Sequence, residues 1–365
     1  MFNSDPTPSI APITIQGRAI GNGLKPYVIA EISANHNGSL ERALQLIERA
    51  KEAGADAVKI QSYTADTMTL NSNKSDFTIT AGPWQGNTLY ELYQQAHTPW
   101  DWHPALFAKA KQVGITLFSS PFDESAVDML ESLDAPAYKI ASFEALDFPL
   151  IEYAAKTKKP LIISTGLATL EEITELQQFL AGIGHQAYCL LHCVSGYPTP
   201  VEQSNVMTLK DLQLRFGCHS GLSDHSLSHG AALAASALGA AMIEKHFTHH
   251  RDDGGPDAAF SLEPAELTTL CQLIEQVHLA KGSVNYDRKP AEQANLQFRR
   301  SIYAVKDIAK GEALTPENIK RIRPGHGLAP KYYHDVIGAT AKCHISAAQP
   351  LSLDDIILTN PAPSC

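Results

Sequence analysis

Residues 26–61 read PYVIAEISANHNGSLERALQLIERAKEAGADAVKIQ. An apolar run at 27–33 leads into an amphipathic segment and then into a second apolar run at 55–61. In the middle segment Leu40, Ala43, Leu44, Ile47 and Ala50 recur at helical spacing. Gly54 stands where a left-handed helix cap belongs. The unit is strand, helix, strand. The same rhythm continues through ITLFSSP (115–121), AYKIAS (137–142), PLIIST (160–165), AYCLLHC (187–193), HSGLSD (219–224) and AMIEKHF (241–247). Helical patterns lie between these runs and after the last, ending near residue 282. Eight such units and no G-x-G-x-x-G predict a closed (β/α)8 barrel rather than an open doubly wound sheet.

The rhythm is broken in two places. Residues 62–102 form a long insertion rich in Thr, Asn, Gly and aromatics, and connections of that length are usually functional. After residue 284 the alternation stops, so the barrel is expected to span 1–284. Residues 285–298 read as a polar linker, and 299–365 as a small module with short strands and Gly-Pro punctuation.

The chain has 365 residues, 44% hydrophobic and 19% charged, enough to bury a core. Its net charge of −10 argues against a nucleic-acid partner, which normally meets a basic face. No apolar run reaches the roughly 18 residues needed to span a bilayer, and the N-terminus has no secretory pattern. Cysteines at 189, 193, 218, 271, 343 and 365 form no C-x-x-C pair. They read as reduced thiols of a cytoplasmic protein. P-loop, nucleophile-elbow and zincin motifs are missing, so NTP hydrolysis, α/β-hydrolase chemistry and zincin proteolysis have no support.

In a barrel of this kind, chemistry sits at the C-terminal ends of the strands. Here those ends are polar: Glu31, Lys59, Gln61, Ser119, Lys139, Ser142, Ser164, His192, Asp224, His225, Glu244 and His246. A lysine inside an apolar strand is costly unless paired. Lys59 and Lys139, with Ser142, Ser164 and Ser223, suit a phosphate and a carboxylate. Each lysine could instead be an internal partner of Glu31 or Glu244. His225 and His246 end neighbouring strands and could bring two imidazoles to one metal ion, or simply hydrogen-bond in the rim. His249 and His250 read as loop residues, His36 as a ligand-orienting or helix-capping residue, and His97, His103, His185 and His278 as surface residues. Asp252, Asp253 and Asp257 read as an acidic loop.

The motifs EISANHNGSLERA, ADAVKIQ, FSSPFD, AYKIAS, LIISTG, GLSDHS, EKHF and GGPDAAFSLEP, in this order, resemble the nonulosonic (sialic) acid synthase family. RIRPGHGLAP and the VIG that follows resemble that family's antifreeze-like C-terminal domain. The likeness runs from about residue 15 to 358. It implies an enzyme that condenses phosphoenolpyruvate with an N-acetylated amino sugar, releasing phosphate. It also implies a divalent metal, manganese first and magnesium or cobalt as alternatives, held by His225 and His246. Lys59, Lys139, Ser142, Ser164 and Ser223 match phosphoenolpyruvate contacts. Glu31, Gln61, Tyr197 and Asp257 match sugar-side positions, and Glu244 a carboxylate of the reacting centre, so Glu31, Glu244 and Lys139 form the catalytic set. Arg323 resembles an arginine placed over the partner subunit's barrel, which implies a domain-swapped homodimer.

Ser-Ala at 33–34, Ser195, and DGGPDAAFSLEP point to the pseudaminic acid branch, whose acceptor is 2,4-diacetamido-2,4,6-trideoxy-L-altrose. The alternatives are the N-acetylneuraminate or legionaminate branches and, outside enzymes, a carbohydrate- or ice-binding protein.

Overall fold

The computed structural model describes residues 10–82 and 84–358. The sequence reading of the extreme N-terminus, of Cys365 and of the last residues of the tail falls outside these. The chain divides into two compact units, Met1–Gly282 and Ser283–Cys365.

The first unit is the expected barrel. A short antiparallel hairpin, β1 (Ile13–Ile15) and β2 (Arg18–Ile20), precedes eight parallel strands. These are β3 (Tyr27–Glu31), β4 (Ala57–Ser62), β5 (Thr116–Pro121), β6 (Tyr138–Ile140), β7 (Leu161–Ser164), β8 (Tyr188–Cys193), β9 (His219–Asp224) and β10 (Met242–His246). They close in chain order, with β10 beside β3. The helix predicted after β3 runs Leu40–Glu52, starts on a Ser39 side-chain cap, and buries Ala43, Leu46, Ile47 and Ala50. Gly54 follows with a φ of 94°, a conformation that a side chain would strain.

Strand alternation sorts the side chains into layers. The outward residues Val28, Ala30, Val58, Ile60 and Ile243 pack under the surrounding helices in one core. Tyr138, Ile140, Leu161, Ile163 and Leu190 do the same in a second. The inward residues at the N-terminal end form a third core with the hairpin: Ile13, Ile15, Ile20, Tyr27, Ile29, Ala57, Phe118, Ile162, Cys189, Leu191 and Met242. This hairpin plugs the bottom of the barrel, a role that its three-residue strands do not announce in the sequence. Further along the same strands the inward positions turn polar. Tyr27 and Ile29 give way to Glu31, Ala57 to Lys59 and Gln61, and Met242 to Glu244 and His246. Gly221 leaves room on the inner wall: a Cβ there would sit 2.5 Å from Met242 O and 2.6 Å from Leu191 Cδ2.

The insertion is more ordered than a plain loop, holding short helices at Ala65–Met68 and Leu89–Ala96. Two histidines expected at the surface are buried, His103 and His185. His103 is drawn in because its Nε2 lies 2.7 Å from Ser62 Oγ, beneath the insertion.

The second unit pairs β11 (Ser301–Ala304) with β12 (Ile319–Ile322), and β13 (Thr340–Ala341) with β14 (Ile356–Ile357). Ile302, Ile308, Leu314, Ile319, Val336, Ile345 and Leu351 form its own core. The polar stretch expected as a linker carries a 3-10 helix, Pro290–Phe298, with no buried residue. Gly325 N donates to Gln297 O at 3.1 Å, tying that helix to the loop after β12. Among the described residues, no helix is long and apolar enough to cross a membrane.

Candidate active site

Parallel register decides which strand-end side chains meet. Glu31 is the register partner of Lys59 on one side and of His246 on the other, and Glu244 pairs with Ser223. Lys59 therefore stands between two carboxylates, its Nζ 2.9 Å from Glu31 Oε2 and 3.0 Å from Glu244 Oε1. Ser223 Oγ donates to the same Glu244 oxygen at 3.2 Å. Burial drives the Lys59 ammonium down to about 8, with Glu244 opposing and Lys139 reinforcing. Burial alone would raise the Glu244 carboxyl, but Lys59 and then Lys139 outweigh it and hold it below its ordinary value.

On the next wall Lys139 Nζ donates to Ser164 Oγ at 2.6 Å and to Ile140 O at 2.9 Å. Ser142 Oγ accepts from Gly166 N at 3.1 Å. A Cβ at Gly166 would collide with the hydroxyls of Ser142 and Ser195, so a larger residue there would displace them. These groups open on one cavity of about 470 Å³. Its walls include Lys59, Gln61, Lys139, Ser142, Ser164, Tyr197, Ser223, His225, Glu244, His246 and Asp257. Glu31 is not among them. It is fully buried, held by Lys59 and, at 3.5 Å, by Gln61 Nε2. Arg323 belongs to the second unit, just past β12, and is exposed.

The imidazoles of His225 and His246 lie with ring centroids 5.3 Å apart. His225 Nδ1 is 3.0 Å from Val194 O, which can only accept, so Nδ1 carries a proton, and against burial Cys193 and Val194 O raise the ring above its ordinary value. His246 Nδ1 is buried with no hydrogen-bond partner, and Asp257 Oδ2 lies 4.0 Å from it. Burial, then His225 and Lys59, push His246 well below its ordinary value, keeping it neutral and able to ligate. Among the described residues no group of three or more His, Cys, Asp or Glu forms a metal cage. The donor set fits a two-histidine centre whose remaining positions are open to water and substrate. Tyr197 closes over it, 4.4 Å from His225 and 5.1 Å from Phe260 between centroids.

Three features of the site, at Cys193, Glu144 and Lys245, were not singled out from the sequence. Cys193 Sγ lies 3.8 Å from His225 Nδ1, and against its burial that imidazole, with Ser142 and Lys139, draws the thiol down to about 7. Glu144 lines the cavity, with Oε2 buried and unpartnered, and burial raises its carboxyl to about 7. Ser33, the first residue of the Ser-Ala pair read from the sequence as a branch marker, sits in the wall with a φ of 35°, strained for a serine. Lys245, on the outer side of β10, is fully buried. Its Nζ reaches Asp224 Oδ2 at 3.0 Å, together with the carbonyls of Ser226 and Ser228. A lysine facing out of the barrel carries no such signal until the register places Asp224 opposite it.

Residues 46–286 match the family model described as the NeuB family, and 299–357 match the SAF domain. The chain is 43% identical over 332 residues to a pseudaminic acid synthase of Helicobacter pylori, covering 91% of this chain and 98% of that one. It is 44% identical over 331 residues to a pseudaminic acid synthase of Campylobacter jejuni, covering 91% and 96%. The solved N-acetylneuraminic acid synthetase of Leptospira borgpetersenii superposes with a TM-score of 0.70 at 30% identity, covering 79% of this chain and 96% of that one. The resemblance carried by the strand-end motifs holds across both units: the chain belongs to the NeuB family and ends in a SAF domain.

Proposed function

We propose that this chain condenses phosphoenolpyruvate with 2,4-diacetamido-2,4,6-trideoxy-L-altrose, giving pseudaminic acid and phosphate. The observation that carries the chemistry is one cavity in which Lys59, Lys139 and three serine hydroxyls face a two-histidine centre beside Glu244. The acceptor follows the pseudaminic acid synthases to which the chain is 43% and 44% identical.

Lys59, Lys139, Ser142, Ser164 and Ser223 bind and orient the phosphate and carboxylate of phosphoenolpyruvate. His225 and His246 would hold a divalent cation, manganese first, which when bound would supply Lewis acidity for the acceptor aldehyde. C3 of phosphoenolpyruvate forms the new bond to that aldehyde carbon. Water then adds at C2, and the C–O bond to phosphate breaks. Of the two candidate carboxylates we assign water deprotonation to Glu244. It lines the cavity, its Oε2 has no other partner, and the flanking lysines keep it ionised. Glu31, sealed behind Lys59, then serves to hold that lysine. Gln61, Tyr197 and Asp257 hold the sugar. Arg323 reaches the sugar from a partner copy in a domain-swapped homodimer.

Turnover in ¹⁸O-labelled water tests the reaction. The label is expected at C2 of the product and not in the released phosphate. Label in the phosphate contradicts C–O cleavage, and full activity after exhaustive chelation contradicts the metal.

A further inference from the structure

The insertion after β4 brings to the cavity apolar side chains that no core uses. Met68, Ile79, Trp84, Leu92 and Tyr93 line it. None belongs to any of the four apolar cores, and all but Leu92 are only half-buried. Apolar groups left half-covered around a ligand cavity are accounted for by what fills it. The insertion is also pinned in place. Trp84 Nε1 donates to Pro256 O at 3.1 Å, and Tyr93 meets Tyr63 edge-on at 5.8 Å. The cavity therefore has two faces, one charged and carrying the reacting groups, one apolar and supplied by the insertion.

We propose that the apolar face is the acceptor-specificity pocket, in which Met68, Ile79, Trp84, Leu92 and Tyr93 take up the methyl groups of a diacetamido, 6-deoxy sugar. The charged face needs no such wall for phosphoenolpyruvate, whose only apolar part is a methylene. The pocket rests on the acceptor class given above, and it makes the insertion the element that rejects a C6 hydroxyl.

The test uses the full chain with manganese and compares kcat/KM for the trideoxy acceptor and for its 6-hydroxy analogue. Ile79→Ser is expected to lower the first about tenfold, the scale of one methyl–hydroxyl mismatch in an apolar pocket, and the second far less. The KM for phosphoenolpyruvate stays unchanged. Met68→Ser, at another half-buried position, is expected to narrow the ratio in the same direction if Ile79→Ser does not fold. Equal losses on both sugars, or an unchanged ratio in a folded variant, overturn the pocket alone. Wild-type protein that turns over neither sugar overturns the acceptor class and the pocket with it.

Discussion

Lys59 neutralises two carboxylates that the barrel buries within 3.0 Å of it. Lys59→Met leaves Glu31 and Glu244 facing each other without a cation, which should cost about 3–5 kcal/mol at pH 7. In that variant both carboxyls are raised above their unfolded values, so the deficit shrinks as pH falls and they protonate. Urea unfolding at pH 7 and pH 5 reads both effects. Glu144 shows the same sign within the wild type. Its carboxyl, at 4.5 when unfolded and raised to about 7 by burial, costs nothing below pH 4.5 and its full penalty above pH 7. Glu144→Gln should therefore stabilise the protein at pH 8, by on the order of 2–3 kcal/mol, and not at pH 4. A gain of equal size at both pH values would contradict the assigned cause. The inward polar residues at the strand ends were legible because they break the apolar rule for a barrel interior, whereas Asp224, read with them, faces outward onto Lys245. Which carboxylate reaches the cavity was not, because Glu31 and Glu244 are separated by packing around Lys59 rather than by any difference in pattern.

At the scale of elements, His246 ends β10 and His225 follows β9 directly, and the two strands are joined from behind by Asp224 and Lys245. Lys245 also holds the two carbonyls just past His225, so its three protons fix the chain on which that ring stands. Lys245→Met should destabilise the protein by about 3–5 kcal/mol through the orphaned Asp224. If His225 holds a metal as proposed, the variant should also show a smaller thermal shift on adding manganese than the wild type, because the hold on His225 is weakened. A variant that is less stable yet keeps the full manganese shift would limit the pair to a fold role. The eight strands were readable from length and repetition alone. The hairpin at Ile13–Ile20 was not, since three-residue strands are too short to display a period. The insertion's apolar lining was hidden for a different reason: its side chains answer to a cavity, and helical or strand spacing does not describe them.

At the scale of the whole molecule, the reacting groups stand on one unit and Arg323 on the other. Each unit has its own core. If the homodimer is swapped, Lys139→Ala and Arg323→Ala protein, each deficient alone, should regain activity when mixed and refolded together. In a statistical mixture about half of the dimers pair the two variants, and one of the two composite sites in each is intact. No recovery above the sum of the separate variants would contradict a shared site. The strand–helix rhythm was expected to stop after residue 284, and the two compact units divide at Gly282 and Ser283. The 3-10 helix at Pro290–Phe298 was not legible, because it buries no residue and its tie to Gly325 is made through backbone atoms.

The most direct test is phosphate release from phosphoenolpyruvate with manganese, offering 2,4-diacetamido-2,4,6-trideoxy-L-altrose and N-acetylmannosamine in separate assays. Release with the first sugar and not the second is the predicted result. Release with N-acetylmannosamine alone, or with neither sugar, would contradict it.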